Sequence, residues 1–162
     1  MKTEARAARV RILFLDVDGV LTDGRLYCFS QGAARAFHTL DGFGVRRLIQ
    51  SGVQVALVSA AADEGDIHRR GRQLGILRIH TSVDDKLAVV RRILEDESLA
   101  PETAAYMGDD LPDLPAMQYS GFAVAPKTAA PEVLAAAHWI PDLPAGAGAV
   151  RELCDKIAAA RA

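Results

Sequence analysis

Short apolar segments alternate with amphipathic ones along the 162-residue chain, and this alternation constrains the fold more than any other feature of the sequence. A short apolar run is typical of a buried strand, whereas apolar residues at helical spacing indicate an amphipathic helix. We predict strands over 10–15, 53–58, 77–80, 104–107, 121–124 and 138–140, and helices over 44–50, 85–97, 131–137 and 149–160. This order predicts an α/β fold with a doubly wound, Rossmann-like parallel sheet that is covered by helices on both faces.

The segment 24–38 interrupts this alternation. Its two short β-favouring stretches flank a Ser-Gln-Gly turn at 30–32, so we predict a β-hairpin inserted after the first strand. The last predicted helix, at about 149–160, forms a C-terminal tail. Because no repeat, linker or domain boundary is evident, we expect a single domain over 1–162 with no separate cap domain.

The composition argues against several classes of partner. With 19 basic and 21 acidic residues the net charge is −2, whereas proteins that bind nucleic acid are usually basic. No apolar run is long enough for a membrane span, and the basic, polar start has no signal-peptide core. The two cysteines, Cys28 and Cys154, lie far apart and outside any CxxC pair. We therefore expect a cytoplasmic protein with no nucleic acid and no membrane as partner.

Polar side chains follow several of the predicted strands. Asp16 and Asp18 come directly after the first, and carboxylates two residues apart lie on the same side of an extended backbone. Their mutual repulsion needs a cation or a proton to offset it. Ser59 ends the next long strand, and Lys86 begins a helix after the short strand 77–80. Taken singly, these residues are also typical of turns, helix caps and solvated surface charges.

The strand 104–107 is followed by Gly108, Asp109 and Asp110, with a further carboxylate at Asp113. A helix cap accounts for one or two of these aspartates, but not for a consecutive pair beside a glycine. The carboxyl ends of parallel strands meet at one edge of the sheet, so we expect all of these groups to converge. Several carboxylates with one hydroxyl and one amine suit Mg²⁺ together with a phosphate.

These motifs, in this order, resemble those of the haloacid-dehalogenase-like phosphatases. The resemblance rests on DVDG at 16–19, Ser59, Lys86 and GDD at 108–110, and it extends over roughly residues 10–125. Further features resemble the capless group of 3-deoxy-D-manno-octulosonate 8-phosphate (KDO 8-phosphate) phosphatases, which implies a step in lipopolysaccharide biosynthesis. They are DVDGVLTDG at 16–24, the hairpin, DGFG at 41–44, DKL at 85–87 and GAVRE at 148–152.

The resemblance also implies roles for individual residues. Asp16 would be the nucleophile that forms an aspartyl-phosphate, and Asp18 would be the general acid and then the general base. Mg²⁺ would be held by Asp16, the backbone carbonyl of Asp18 and Asp109, with Asp110 supporting it. Lys86 and Ser59 would contact the phosphoryl group, and Asp113 would orient Lys86 or cap a helix.

Three positions depart from the pattern of the octulosonate phosphatases. Leu40, Ala61 and Ala147 stand where that group typically has arginines suited to a sugar carboxylate. Other sugar phosphates, whether neutral or of the nine-carbon sialic-acid type, therefore remain open as substrates, as does a regulatory protein with weak activity. A receiver domain is disfavoured because its acceptor aspartate follows the third strand, whereas the acidic pair here follows the first.

The hairpin suggests an assembly. Tyr27 and Phe29 lie on a two-stranded hairpin, an element that is marginally stable without a partner surface. Together with the expected lack of a cap, this favours a homotetramer in which neighbouring subunits roof each active site. The alternative is that the hairpin packs on its own subunit.

Overall fold

The computed structural model describes residues 1–30, 32–62 and 65–162. The strands are β1 (Ile12–Leu15), β2 (Tyr27–Phe29), β3 (Gly32–Ala34), β4 (Gln54–Val58), β5 (Arg78–His80), β6 (Ala104–Met107) and β7 (Phe122–Val124). The helices are α1 (Thr3–Ala7), α2 (Thr39–Gln50), α3 (Asp66–Gln73), α4 (Lys86–Asp96), α5 (Leu114–Tyr119), α6 (Pro131–Ala136) and α7 (Ala149–Arg161), with short 3₁₀ helices at Pro101–Thr103 and Leu111–Asp113. Within the described ranges, none of the helices combines the length and the apolar character that a membrane span requires.

Five of the strands form one parallel sheet in the order β5-β4-β1-β6-β7. The chain moves from β1 outward through β4 to β5, then crosses to the other side of β1 and continues through β6 to β7. The strand order therefore reverses between β1 and β6, and the crevice beyond the carboxyl ends of such strands is where ligands bind in open α/β sheets. The predicted α/β fold class with a parallel sheet is confirmed.

Side chains alternate between the two faces of the sheet, as its pleat requires. In β1, Leu13 and Leu15 pack in the cluster that contains the buried residues of α2, α3 and α7. Ile12 and Phe14 pack on the opposite face with the buried residues of α4, α5 and α6. Because β1 is buried on both faces, its sequence is a continuous apolar run rather than an alternating one.

The predicted hairpin is present between β1 and α2. β2 pairs antiparallel with β3, in a two-stranded sheet separate from the main one. The predicted turn at 30–32 includes residue 31, which lies outside the described residues. The second strand ends at residue 34, so the four residues before α2 connect the hairpin to the helix.

Some predicted elements differ from those observed. The strand predicted at 138–140 is wrong, because only a single bridge joins Trp139 to Val124. The helices α1, α3 and α5 were not predicted from the sequence: α1 and α5 are short, and α3 is highly polar, with only Ile67 and Gly71 buried. A short or strongly polar helix has a weak apolar stripe, which is the signal that the prediction uses.

The helix predicted over 44–50 begins at Thr39, five residues earlier. Gly42 and Gly44 lower the helix propensity of this stretch, but close packing requires at least one of them. A Cβ at Gly44 would lie 2.8 Å from Cδ of Arg151 in α7. Asp41 adds a polar contact between the two helices, since its carboxylate accepts hydrogen bonds from the backbone N–H groups of Gly148 (3.3 Å) and Arg151 (2.8 Å). Packing against α7 therefore overrides the weak local preference.

Candidate active site

Residues from four strand ends line one cavity of about 320 Å³ at the carboxyl edge of the sheet. Asp16 follows β1, Ser59 follows β4, Lys86 begins α4 after β5, and Asp109 follows β6. Asp18, Asp110 and Asp113 line the same cavity. The structure thus brings together every residue that the sequence predicted for this edge.

Lys86 is buried between two carboxylates. Its Nζ lies 3.1 Å from Oδ1 of Asp16 and 2.7 Å from Oδ1 of Asp113. The side chain of Asp85 caps α4 by accepting a hydrogen bond from the N–H of Ala88 (2.9 Å), which fixes Lys86 as the first helical residue. Burial opposes the charged amine, but the two carboxylates outweigh it and raise the pKa of Lys86. Lys86 is therefore a fixed positive charge inside the cavity.

Asp113 is a fully buried anchor for the other residues. Its Oδ1 accepts hydrogen bonds from Nζ of Lys86 and from the hydroxyl of Tyr106 (2.8 Å). Its Oδ2 accepts from the backbone N–H groups of Asp109 (3.1 Å) and Asp110 (3.3 Å). Four donors occupy the lone pairs of this carboxylate, so it fits an orienting role better than that of a metal ligand.

Gly19 brings the first loop against the loop that follows β6. Its φ of 83° lies in the left-handed region that favours glycine. A Cβ at this position would overlap the carboxylate of Asp109. The glycine of the DVDG motif is therefore required both by the backbone conformation and by the approach of Asp109.

The carboxylates of the cavity are crowded. Carboxylate oxygens of Asp16, Asp109 and Asp113 lie within 4.8 Å of one another, which is close enough to surround a metal ion. Burial, together with the charge of Asp113, raises the pKa of Asp16 to about 6 against the opposing effect of Lys86. Burial, together with the charges of Asp16 and Asp113, raises the pKa of Asp109 to about 7. A divalent cation would relieve this repulsion, so the oxygen donors present fit such an ion.

Ser59 and Asp110 occupy different surroundings. Ser59 is almost completely buried, and its Oγ accepts a hydrogen bond from the N–H of Ala61 (3.2 Å), a contact that does not use the hydroxyl proton. Asp110 is exposed, and its carboxylate caps the 3₁₀ helix at Leu111–Asp113 by accepting from the N–H of Leu111 (2.8 Å). The carboxylate of Asp110 thus lies at the rim of the cavity, with a structural role of its own.

Arg35 contacts Asp18 and was not predicted from the sequence. It follows β3, and its side chain is only 4% exposed. Its guanidinium donates from Nε to Oδ1 of Asp18 (2.8 Å) and from Nη2 to Oδ2 (3.0 Å). The hydroxyl of Thr22 donates to the same Oδ1 (3.3 Å). No local pattern marks such an arginine, because the contact depends on the direction in which the hairpin folds back.

The comparisons with known proteins agree with this geometry. The family model described as haloacid dehalogenase-like hydrolase matches residues 56–153. The chain is 40% identical over 153 residues to the 3-deoxy-D-manno-octulosonate 8-phosphate phosphatase of Yersinia pestis. The aligned residues cover 94% of this chain and 81% of that protein.

Two solved structures of similar proteins contain divalent metals. The 3-deoxy-D-manno-octulosonate 8-phosphate phosphatase of Moraxella catarrhalis, in complex with magnesium, phosphate and KDO, is 33% identical with a TM-score of 0.95, over 98% of this chain and 91% of that one. The cobalt-bound deoxy-D-mannose-octulosonate 8-phosphate phosphatase of Haemophilus influenzae is 33% identical with a TM-score of 0.92, over 96% and 91%. The acidic cluster described above is consistent with a divalent metal in this chain too.

Proposed function

The chain belongs to the haloacid dehalogenase-like hydrolases and is a phosphatase of that family, and we propose that it hydrolyses KDO 8-phosphate with Mg²⁺ and an aspartyl-phosphate intermediate. The observation that carries the proposal is the cavity in which Asp16, Lys86 and Asp109 meet. A buried carboxylate, a buried amine and an acidic cluster are groups suited to phosphoryl transfer from a monoester. The substrate is inferred from the relatives' activity.

The residues present fit Mg²⁺ as the cofactor. Asp16, the backbone carbonyl of Asp18 and Asp109 would hold the ion, and Asp110 would support it from the rim. Mg²⁺ would supply positive charge beside the phosphoryl oxygens and offset the crowded carboxylates that raise the pKa values of Asp16 and Asp109. The ammonium group of Lys86 would place a second positive charge beside the phosphoryl oxygens, and the hydroxyl of Ser59 would donate a hydrogen bond to one of them.

The reaction would proceed in two displacements at phosphorus. An oxygen of Asp16 attacks the phosphorus atom and forms an acyl phosphate, while the bond from phosphorus to the sugar oxygen breaks. Asp18 donates its proton to that oxygen, so the sugar leaves as an alcohol. Asp18, now a carboxylate, accepts a proton from water, which attacks the same phosphorus and breaks its bond to Asp16. Inorganic phosphate and the free carboxylate of Asp16 result.

Three positions that lack an arginine bear on which sugar phosphate is the substrate. Leu40, Ala61 and Ala147 replace arginines of the octulosonate phosphatases, which favours a different phosphorylated sugar as the alternative substrate. An arginine pair to a carboxylate contributes about 1.5–3 kcal/mol, which is ten- to hundredfold in affinity.

A substrate panel tests this proposal. Phosphate release should be measured from KDO 8-phosphate, a nine-carbon sialic-acid-type 9-phosphate and a neutral hexose 6-phosphate, each with Mg²⁺ and with a chelator. We expect metal-dependent release from all three and the highest kcat/KM for KDO 8-phosphate. A higher kcat/KM for the neutral sugar would overturn the substrate while leaving the phosphatase in place.

We also propose that the chain forms a homotetramer through the hairpin. Tyr27 is 50% exposed and Phe29 is 66% exposed, so the apolar surface of β2 lies open on a single chain. Burying two aromatic side chains at a subunit interface contributes several kcal/mol, on the order of 2 kcal/mol each. Light scattering should give a tetramer for the wild type and a smaller species for Phe29→Ser. A monomeric wild type at micromolar concentration would contradict the assembly.

A further inference from the structure

Arg35 links three segments at the edge of the active site. Its fork donates two hydrogen bonds to Asp18 in the loop after β1, at 2.8 and 3.0 Å. Its Nη1 donates to both carboxylate oxygens of Asp66, at 3.2 Å each. Asp66 is the first residue of α3, and Arg35 itself belongs to the connection between the hairpin and α2. One guanidinium therefore ties the catalytic loop to the hairpin and to α3.

The geometry of this contact restricts Asp18 strongly. Two parallel hydrogen bonds from a planar guanidinium fix both the position and the plane of a carboxylate. The arginine is in turn held by Asp66, whose side chain is 12% exposed. The side chain of Asp18 is 28% exposed and lines the cavity, so without the fork it would be free to change rotamer. Within the part of the chain that the structure describes, the other hydrogen bond to this carboxylate comes from Thr22 and is long at 3.3 Å.

We propose that Arg35 is a positioning residue, which holds the carboxyl group of Asp18 where it reaches the oxygen of the leaving group. This inference rests on the proposed function, because it takes Asp18 to be the general acid. When one oxygen of Asp18 carries the transferable proton, that oxygen gives up its bond to the fork, and the other oxygen keeps its own bond to Arg35. The rotamer is thus retained through the transfer, and the acid does not have to be oriented anew in each turnover.

The inference predicts a dependence on the leaving group. A sugar alkoxide leaves poorly and needs the proton from Asp18, whereas p-nitrophenolate leaves readily without one. The value of kcat/KM reports the steps up to departure of the leaving group, so it isolates this effect from the later hydrolysis of the acyl phosphate. A merely structural role of Arg35 would lower kcat/KM for both substrates by the same factor.

The test compares Arg35→Gln with the wild type on KDO 8-phosphate and on p-nitrophenyl phosphate, in the presence of Mg²⁺. We expect kcat/KM to fall roughly 100-fold for the sugar phosphate and less than about threefold for the aryl phosphate, since misplacing a catalytic group by an ångström costs about that factor. Arg35→Lys keeps the charge but loses the fork. We expect its kcat/KM to fall about tenfold for the sugar phosphate, again with a smaller loss for the aryl phosphate.

Two further variants control for folding and for general charge effects. Asp66→Asn removes the negative charge and one of the two oxygens that accept from Arg35, while the remaining oxygen can still accept from the N–H of Ile67. We expect a selective loss of a few-fold, the size that one lost hydrogen bond gives. Arg47→Gln breaks an exposed pair with Asp155 (3.2 Å) on the surface of α2 and α7. That variant should match the wild type on both substrates within about twofold.

The outcomes separate this inference from the proposed function. Equal losses on the two substrates, no loss, or a gain for Arg35→Gln would overturn the positioning role while the wild type remained a phosphatase. A wild type and Arg47→Gln that release no phosphate from either ester in the presence of Mg²⁺ would overturn the proposed function, and the inference with it.

Discussion

Replacing Asp113 by asparagine tests the claim that this carboxylate anchors the site. Asparagine keeps the shape of the side chain but turns one of its two acceptor oxygens into a donor. Whichever way the amide is oriented, it faces two donors: either Lys86 and Tyr106, or the backbone N–H groups of Asp109 and Asp110. Two donors therefore lose Asp113 as their acceptor, although Lys86 keeps its contact with Asp16 at 3.1 Å.

The magnitude follows from the burial of this cluster. Asp113 and Tyr106 are fully buried, and Lys86 is 4% exposed. Leaving buried donors unpaired and breaking a buried ion pair costs about 3 kcal/mol in the free energy of unfolding, after allowing for relief of the repulsion between Asp113 and Asp16. For a chain of this length, that corresponds to a fall of about 6–12 °C in Tm.

The assay is urea unfolding of the metal-free protein followed by circular dichroism, with Asp155→Asn as the matched control. Asp155 is a half-exposed carboxylate paired with Arg47 and Arg151, and its loss should cost less than about 1 kcal/mol. If Asp113 were instead a metal ligand, its replacement would stabilise the metal-free protein by removing a repelling charge. Unchanged or increased stability of metal-free Asp113→Asn would therefore refute the anchoring argument.

Three further predictions concern the same site and its support. Gly19→Ala should lower kcat/KM at least about tenfold and weaken Mg²⁺ binding, because the new Cβ would displace Asp109. The control is Gly52→Ala, which is also at positive φ but has no atom within 4 Å of its Cβ, so it should lose only stability. Equal activity of the two variants would contradict the steric argument. Mg²⁺ affinity should fall as the pH is lowered from about 8 to about 5, because protons compete for Asp16 and Asp109, whose pKa values are raised to about 6 and about 7. By the same linkage, the metal-free protein should lose stability as the pH rises from 3.8 through about 7. An Mg²⁺ affinity that calorimetry finds independent of pH would contradict the competition. Asp41→Ala should cost about 2 kcal/mol in urea unfolding, since two backbone N–H groups at the start of α7 lose their acceptor, and a change below about 0.5 kcal/mol would count against that cap.

The carboxyl edge of the sheet could be predicted from the sequence because one physical rule places it. Asp16, Ser59 and Asp109 each follow an apolar run, and parallel pairing brings the ends of such runs together whatever the details of the helices. Lys86 lies further from its strand, at the start of the helix that comes after β5. The convergence of these residues therefore needed only the strand assignments, which the apolar runs supplied.

The features that the sequence did not predict depend on tertiary contacts. The contact between Arg35 and Asp18 spans 17 residues and requires the hairpin to fold back over the loop after β1. The start of α2 at Thr39 depends on packing against α7, which outweighs the two glycines in its first turns. Trp139 adds one bridge to β7 and no strand. Three residues, one of them a histidine, are too few for a sequence pattern to show whether they pair as a strand.

The central claim is that Asp16 is the nucleophile of a metal-dependent phosphatase. The measurement that tests it most directly is the steady-state release of phosphate from KDO 8-phosphate by the wild type and by Asp16→Asn, each with Mg²⁺ and with a chelator. We predict release only by the wild type with Mg²⁺, and a loss of at least about a thousandfold in the variant. Equal rates for Asp16→Asn and the wild type, or an undiminished rate in the chelator, would contradict the account.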